Sequence, residues 1–505
     1  MGNGNFNKEA RMLLSKPDSL YIGIDIGTSS VKAIMGGPGA GEVDAFSASY
    51  PTHRPVAGAA EQHPLNWLDL ACGALGQFAA HPHAKYVRAI GLTSQVNTHV
   101  FCDSRGAHLF PALTWQDTRA AQHAEHLEAQ IDPSAKIAAL GAPIPIDASH
   151  ALARMAWIAA TFPEVWAMTR HVLLPKDYLI AQLTGEFVSD PIGSVGLVGP
   201  ALDYAELLLE IIPEAASLLP KLDDPLHIAG TIRHPHPFAG IPVAVGTMDA
   251  WSSMFGLGVV GEGEAMYLSG TSDVLGLISA RGSGTAGIVT FPDWRGIRLH
   301  AGPTQSGGSS LTWLAALLGQ EMSSVLALAS PEHIRKESPL FLPHLDGERA
   351  PLWDPHSRGA FVGLDKAIGP AEIVAALMEG VAFAARLALE AIEVSGNQQI
   401  ESLCHGGGGA QSGTWCQIRA DVLGRHLACA ASKVPGATGA LVMASLAAGE
   451  MNSLREATQG LVTRDRVFSP TRTTRALCDE RFGIFRDIYH ALSPINHALT
   501  ESLSR

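Results

Sequence analysis

The feature that most constrains the fold is a hairpin-like stretch that occurs twice in the chain. Residues 21–35 place two apolar, β-rich runs around the turn Gly-Thr-Ser-Ser at 27–30, and residues 265–279 repeat the pattern around Gly-Thr-Ser at 270–272. A short polar turn with glycine between such runs is typical of a β-hairpin. Because the flanks match on both sides, a duplication is favoured over a chance three-residue match. The sequence therefore predicts two related domains.

Both turns carry groups that suit a phosphate. Backbone N–H groups and the hydroxyls of Thr28, Ser29 and Thr271 project from the turns, and the carboxylate of Asp25 stands beside the first turn. A bare carboxylate would repel a phosphate, whereas a divalent cation between the two would join them. The pair of turns therefore predicts one nucleotide held between two domains. An ordinary surface hairpin is the alternative for either turn alone.

Length and composition indicate a globular chain of two domains. The chain has 505 residues, 47% of them apolar and 16% charged, and single cores stop growing at roughly 250–300 residues. We place the domain boundary near residue 255, which predicts domains at 1–255 and 256–505. The formal net charge of -13 argues against nucleic-acid binding.

The cysteines and the apolar runs predict a cytoplasmic protein. The six cysteines are scattered without a Cys-x-x-Cys pair, which is typical of reduced thiols. The apolar run at 12–14 is too short for a signal peptide, and no run approaches the roughly 18 apolar residues of a membrane span. We therefore expect no membrane association.

A candidate catalytic carboxylate follows a strand predicted at 241–245. Asp249 comes after a Gly-Thr turn and precedes a helix, so its side chain is expected at the carboxyl end of the strand. Phosphoryl transfer to a hydroxyl needs a group that orients the nucleophile and accepts its proton. The alternative is that Asp249 only caps the helix.

A further Gly-rich element lies at 406–409. Without side chains, the backbone there would be able to approach a flat ligand closely. The alternative is that these glycines form only a flexible turn.

A second polar set follows the strand predicted at 87–92. Amides, carboxylates and a guanidinium match vicinal hydroxyls, and an indole covers a C–H face. Each of these residues alone is more often structural, and His99 is open to being packed beneath the sheet. The histidines show no zinc-ligand spacing. The set consists of Gln95, Asn97, His99, Trp115, Asp117 and Arg119.

The order of these motifs resembles the FGGY carbohydrate kinases, which are members of the actin/hexokinase/heat-shock-ATPase superfamily. The resemblance covers nearly the whole chain. It rests on residues 23–29, 115–119, 174–179, 183–186, 268–272, 347–351, 359–364, 379–383 and 407–410.

The resemblance implies an α/β fold of two ribonuclease-H-like (actin/hexokinase-type) domains with an interdomain active-site cleft that closes on MgATP and a sugar. Asp249 would be the general base, and Asp25 would hold Mg²⁺ through water. The implied nucleotide contacts are Asp25, Thr28, Ser29, Gly270, Thr271, Ser272, Gly308, Thr312, Gly408, Gly409 and Gly413. The implied sugar contacts are Gln95, Val96, Asn97, Trp115, Asp117, Arg119, Asp249 and Ala250. A small sugar or polyol is the expected partner, and a homodimer is left open.

Within the family, the xylulokinase-like branch is the nearest. That branch usually has Gly-Gln-Met-His-Gly where this chain has Ser-Gln-Val-Asn-Thr at 94–98, and Asn where this chain has Ala250. Asn97 lacks the bulk of His, and Trp251 is expected to narrow the pocket. We expect D-xylulose to be converted to D-xylulose 5-phosphate.

Two kinds of alternative remain open. The first is a kinase for ribulose, a tetrulose, erythritol, gluconate or glycerol. The second is a catalytically silent sugar-binding regulator, against which the presence of Asp25, Thr28, Asp249 and Thr271 counts.

Overall fold

The computed structural model describes residues 19–501, which form two compact units. The first unit contains the described residues up to Gly258 together with Val434–Val462, and the second contains Val259–Lys433 and the described residues from Thr463 onward. The predicted ranges differ from this division chiefly in one segment, because 434–462 returns to the first unit. The apolar run at 12–14 lies outside the described residues.

The first unit is built on a mixed sheet. Its strands are β1 (Leu20–Ile26), β2 (Ser30–Gly37), β3 (Gly41–Ser49), β4 (Val87–Ser94), β5 (Ile228–Thr231), β6 (Pro242–Ala244) and β7 (Thr247–Met248). They lie in the order β5-β6-β4-β1-β2-β3, and β7 pairs with the end of β4. β4 runs parallel to β1, β6 and β7, and the other neighbours are antiparallel.

The second unit repeats this plan. Its strands are β8 (Ala265–Ser269), β9 (Asp273–Ile278), β10 (Val289–Thr290), β11 (Leu299–Pro303), β12 (Ser402–Gly407), β13 (His426–Ala430) and β14 (Arg464–Phe468). They lie in the order β10-β11-β9-β8-β12-β13-β14. The series β11-β9-β8-β12-β13-β14 has the same parallel and antiparallel neighbours as β3-β2-β1-β4-β6-β5. The duplication predicted from the two hairpins is therefore confirmed.

Helices cover both sheets. In the helix predicted at 66–78 the buried side chains recur at helical spacing, with Trp67, Ala71 and Leu75 turned inward. The helices of the first unit are Pro64–Ala79, Ala121–Glu128, Pro133–Leu140, Ala151–Thr161, Pro163–Met168, Pro175–Thr184, Glu206–Leu209, Ala215–Leu218, Asp249–Gly256, Pro435–Ala447 and Leu454–Leu461. Those of the second unit are Gly308–Leu318, Met322–Leu328, Pro370–Ser395, Gly413–Leu423 and Arg472–Glu501.

Short elements complete the fold. Two-residue and three-residue strands form four separate ladders, and single 3₁₀ turns occur at Ala84–Tyr86, Pro331–His333 and Gly408–Gln411. The ladders pair Glu61–Gln62 with Ala112–Leu113, Val100–Cys102 with His171–Leu173, Val188–Ser189 with Lys221–Leu222, and Leu340–Leu342 with Ala360–Val362.

The helix Pro435–Ala447 lies directly against the first sheet. A Cβ added at Gly23 or Gly91 would overlap the carbonyl of Ala437 or Ala440 on this helix. Only glycine lets backbone approach this closely.

Within residues 19–501, no single helix is both long enough and apolar enough to cross a membrane. The bent pair Gly308–Leu318 and Met322–Leu328 meets the length and composition criteria only when both helices are counted together.

Candidate active site

The turn between β1 and β2 is fixed by hydrogen bonds on its inner side. The Gly27 N–H donates to the Ser30 carbonyl at 3.0 Å, and the Tyr50 hydroxyl donates to the Gly27 carbonyl. The Thr28 carbonyl accepts from Gln62 Nε2 at 2.7 Å. Since the inner groups are occupied, the exposed Ser29 and partly exposed Thr28 are the side chains that the turn presents outward.

Asp25 lies at the end of β1 with an unsatisfied oxygen. Its Oδ1 is buried and has no hydrogen-bond partner among the described residues. Burial, with the nearby Asp249 carboxylate, raises the pKa of Asp25 to about 7 against the opposing charge of Lys32. A cation beside two neighbouring carboxylates favours the ionised form of both. The oxygen donor set therefore fits a magnesium ion that keeps several water ligands.

Asp249 is the first residue of the helix Asp249–Gly256, directly after β7. The N-cap position belongs to Met248, which makes no side-chain cap, so the capping alternative for Asp249 is wrong. Asp249 Oδ1 accepts the Ala250 N–H at 2.7 Å. Burial raises the pKa of Asp249 to about 6, although that hydrogen bond opposes the shift. The carboxylate therefore lies at the strand end that the sequence predicted.

Gln95 belongs to a chain of amides that reaches the turn. Gln95 Nε2 donates to Gln62 Oε1 at 2.8 Å, and Gln62 Nε2 donates to the Thr28 carbonyl. Because a backbone carbonyl only accepts, this chain fixes the orientation of both amides and leaves Gln95 Oε1 as an acceptor. Sequence reasoning missed Gln62, whose only signal was its place in the Glu-Gln-His-Pro stretch at 61–64.

Asn97 sits in a left-handed conformation with φ of 51°. Its Nδ2 donates to Ser149 Oγ at 3.1 Å, and its carbonyl accepts from Arg154 Nη1. Arg154 is fully buried and also lies 2.9 Å from His99 Nδ1, so the expectation that His99 is a packed residue is confirmed. Sequence reasoning missed Arg154, which supports the Asn97 loop from inside helix Ala151–Thr161.

Asp117 and Arg119 bind each other. Arg119 Nη2 lies 2.7 Å from Asp117 Oδ2 and 2.7 Å from Glu61 Oε1, and Asp117 Oδ2 also accepts the Ala60 N–H at 2.9 Å. The guanidinium stacks 4.6 Å from the centre of the Trp157 ring. Both charges are therefore held in a local ion-pair network.

The remaining predicted sugar contacts are arranged in two ways. Trp115, Val96 and Ala250 are partly exposed, and Trp115 Nε1 donates to Thr28 Oγ1 at 3.1 Å. Trp251 has no exposed surface and packs against Phe255. The expectation that Trp251 narrows the pocket is therefore wrong, because its ring is fully buried and presents no surface to a ligand.

The second unit holds a cavity of about 970 Å³ beside its hairpin. Ten lining residues come from the turn, from two helix starts and from apolar side chains: Gly270, Thr271, Gly308, Thr312, Trp313, Met322, Leu326, Gly408, Gly409 and Trp415. A Cβ added at Gly408 would meet nothing within 4 Å, so backbone there faces open space. Gly413 and Ser272 lie outside this lining. The mixture of open backbone and apolar wall suits a nucleotide.

A buried ion pair supports the second hairpin. Arg419 Nη2 lies 3.3 Å from Asp273 Oδ2 and 2.7 Å from Ser269 Oγ, and the Tyr267 hydroxyl donates to Asp273 at 2.6 Å. The Gly308 N–H donates to the Gly270 carbonyl at 2.9 Å, which ties the turn to the next helix.

The two halves of the chain each match a family model. The model of the FGGY family of carbohydrate kinases, N-terminal domain, matches residues 20–256, and that of the C-terminal domain matches 265–448. The chain belongs to the FGGY family of carbohydrate kinases, which confirms the resemblance drawn from the motifs.

Several relatives span almost the full chain. The xylulose kinase of Escherichia coli (strain K12) is 30% identical over 494 residues, which are 94% of this chain and 100% of that protein. The gluconokinase of Bacillus subtilis (strain 168) is 26% identical over 466 residues, 86% of this chain and 89% of that protein. The crystal structure of a xyloylose kinase from Brucella ovis matches with a TM-score of 0.82 and 28% identity, covering 94% of this chain and 100% of that one.

Proposed function

We propose that the protein transfers the γ-phosphoryl group of ATP to D-xylulose, giving D-xylulose 5-phosphate, with Asp249 as the general base. The observation that carries the proposal is the pair of carboxylates, Asp25 and Asp249, at the ends of β1 and β7, the two strands that pair with the carboxyl end of β4 in the first unit. The choice of D-xylulose is supported by the full-length likeness to xylulose kinases. The free cysteines support a cytoplasmic site of action.

In this reaction Asp249 receives the proton of the attacking hydroxyl. The bond from the hydroxyl oxygen to the γ-phosphorus forms while the bond from that phosphorus to the β–γ bridging oxygen breaks, and ADP leaves. A pKa of about 6 keeps Asp249 mostly ionised at neutral pH, yet leaves it more basic than an ordinary aspartate. Both properties suit a base that takes a proton as the new bond forms.

Asp25 and Thr28 would hold the Mg²⁺–phosphate group from the first unit, while Thr271, Gly408 and Gly409 would contact the nucleotide from the second. When bound, MgATP supplies the phosphoryl group and neutralises the charge that develops on its oxygens. The buried unpaired Oδ1 of Asp25 fits a cation ligand, directly or through water.

The sugar would bind where Gln95, Asn97 and Trp115 meet the first turn. Gln95 Oε1 and the amide of Asn97 match hydroxyl groups, and the partly exposed indole covers a C–H face. Gluconate is the main rival substrate, because a gluconokinase aligns with most of the chain. The departures from the xylulokinase pattern nearest to this site are Ser94, Val96, Asn97 and Thr98, together with Ala250.

A substrate screen tests the proposal. ATP consumption is measured with pentuloses, tetritols, hexonates and glycerol, each with the wild-type protein and with Asp249→Ala. We expect D-xylulose to give the highest kcat/KM, and we expect Asp249→Ala to lower kcat by about 10²–10⁴-fold while sugar binding, measured by calorimetry, is kept. A higher kcat/KM for another sugar would reject D-xylulose, and near-normal turnover by Asp249→Ala would reject the base.

A further inference from the structure

One motif of the resemblance, residues 174–179, has no part in the chemistry described so far. It opens the helix Pro175–Thr184 with two buried charges. Lys176 Nζ lies 2.6 Å from Asp177 Oδ1 and 2.9 Å from Asp190 Oδ2, and the three side chains are at most 1% exposed. We call these three residues the Lys176 cluster.

The Lys176 cluster contacts the strand end that precedes Asp249. Lys176 Nζ donates to the Val245 carbonyl at 3.3 Å, and Thr247 Oγ1 donates to Asp190 Oδ1 at 2.7 Å. Only Met248 separates Thr247 from Asp249. The cluster therefore holds the backbone directly before the proposed base.

The cluster also contacts the neighbouring strand β4. The backbone N–H of Lys176 donates to Ser94 Oγ at 3.2 Å, and Thr93 Oγ1 donates to the Thr247 carbonyl at 2.7 Å. Gln95 follows Ser94 at once. The same group of contacts thus ties together the ends of the two strands that present Asp249 and Gln95.

Burying these charges is expensive. Taking an ion out of water costs several kcal/mol even after relaxation, and a hydrophobic replacement is often as stable. Burial would lower the pKa of Lys176, but the two aspartates outweigh it and raise that pKa, so the lysine stays charged. Asp190 Oδ1 also accepts the N–H groups of Ile192 and Gly193. Because Asp190 Oδ1 takes these two donors and the Thr247 hydroxyl while Oδ2 has only its ion pair with Lys176, we expect the cluster to fix geometry more than it adds stability.

The strand end has little freedom to adjust. Gly246 has φ of 67°, and a Cβ at this position would overlap the Leu92 carbonyl of β4. Residues 245–247 are therefore held by the backbone of β4 on one side and by the Lys176 cluster on the other.

We propose that the Lys176 cluster positions Asp249, through Thr247, for proton transfer from the sugar hydroxyl. The inference rests on the proposed role of Asp249 as the base. Lys176, Asp190 and Thr247 are positioning residues in this scheme, and none of them is required to touch the substrate.

Thr247→Val is the sharpest test, since it removes one hydroxyl while Asp190 keeps its two backbone donors. We expect kcat to fall by about tenfold to hundredfold, because small displacements of a reacting group are that costly. The KM values for sugar and ATP should stay within about twofold. Thr247→Ser keeps the hydroxyl and should restore kcat.

Thr169→Val is the matched control. Thr169 is also buried in the first unit, and its hydroxyl donates to the Val165 carbonyl at 2.8 Å. Its loss should lower the melting temperature about as much as Thr247→Val and leave kcat unchanged. Lys176→Met is less informative, because it leaves two buried carboxylates without their cation and is expected to destabilise the fold.

Three results would overturn the proposal: wild-type kcat in Thr247→Val, an equal loss of kcat in Thr169→Val, or a raised sugar KM with normal kcat. Asp249→Ala is measured in the same series. If Asp249→Ala keeps its activity, the proposed base itself is wrong, whereas loss in Asp249→Ala with normal Thr247→Val rejects only the positioning role.

Discussion

The two hairpins share their strand pattern but treat their carboxylates differently. In the first unit, Asp25 stands at the end of β1 with a buried oxygen that has no hydrogen-bond partner among the described residues. In the second, Asp273 begins β9 and is neutralised by Arg419 and bonded by Tyr267 and Ser269. The two hairpins thus carry their carboxylates at different positions, Asp25 before the turn and Asp273 after it, and only the second carboxylate has its hydrogen-bonding partners within the fold.

The difference separates a structural charge from a functional one. A buried carboxylate with its own arginine needs nothing further, whereas one raised to a pKa of about 7 beside another carboxylate gains from a cation. Changing Asp25 in the first hairpin is therefore expected to alter how activity depends on metal and on pH. Changing the partners of Asp273 in the second is expected to alter the free energy of unfolding. Four experiments test this contrast.

The largest effect is expected from Asp25→Ala. Removing the unsatisfied carboxylate should lower kcat by about 10²–10³-fold and weaken the dependence on Mg²⁺, since the remaining groups hold the ion less well. Steady-state rates over a magnesium titration measure both. An unchanged magnesium requirement would contradict the role given to Asp25.

Arg419→Met should instead act on stability. It leaves Asp273 buried without its partner, which costs roughly 3–5 kcal/mol. Urea unfolding should show this loss, with kcat retained at low temperature. Arg475→Met, which removes the exposed Arg475–Asp479 pair, is the control and should unfold near the wild-type midpoint. If Arg419→Met unfolds at the wild-type urea midpoint, the view that Asp273 is a structural charge held by Arg419 is wrong.

The pH dependence should report the first unit. Asp249 acts as a base only when ionised, so kcat/KM should fall about tenfold per pH unit below its pKa of about 6 and level off above it. Asp25, with a pKa of about 7, must also be ionised to hold the ion, so at low Mg²⁺ it should extend the acid limb upward. More Mg²⁺ should move that part of the limb to lower pH, because the ion favours the charged form of Asp25. If the acid limb of the wild-type protein stays at the same pH as the Mg²⁺ concentration is raised, Asp25 does not hold the metal.

Asn97→His is expected to give the smallest change. Histidine tolerates the left-handed conformation of this position better than most residues, so the fold should survive. We expect the ratio of kcat/KM between D-xylulose and gluconate to shift several-fold. Asn397→His, at φ of 47° in the second unit, controls for backbone strain. An unaltered ratio would remove Asn97 from substrate choice.

Local pattern predicted the repeated unit well. The hairpins and the place of Asp249 follow from nearby residues, since apolar spacing and glycine turns act within one element. Gln62 and Arg154 were not identified from the sequence, because their contacts form only when distant segments of the chain come together in the fold. Gln62 reaches Thr28 across 34 positions, and Arg154 reaches the Asn97 carbonyl across 57.

The contact of Val434–Val462 with the first sheet could not be predicted for the same reason. The complementary glycines, Gly23 and Gly91, lie more than three hundred positions earlier in the chain. Nothing in the local pattern around residue 434 indicates which sheet the segment covers.

That returning helix has a consequence for how the protein is made. On the ribosome, the first sheet is complete once residue 258 has been synthesised, but the helix Pro435–Ala447 that covers Gly23 and Gly91 follows almost two hundred residues later. Until then an apolar sheet surface, including Tyr21, Ile34 and Ala89, stays uncovered. The nascent first unit is thus a natural client for chaperones, and a fragment ending at 258 is an incomplete folding unit.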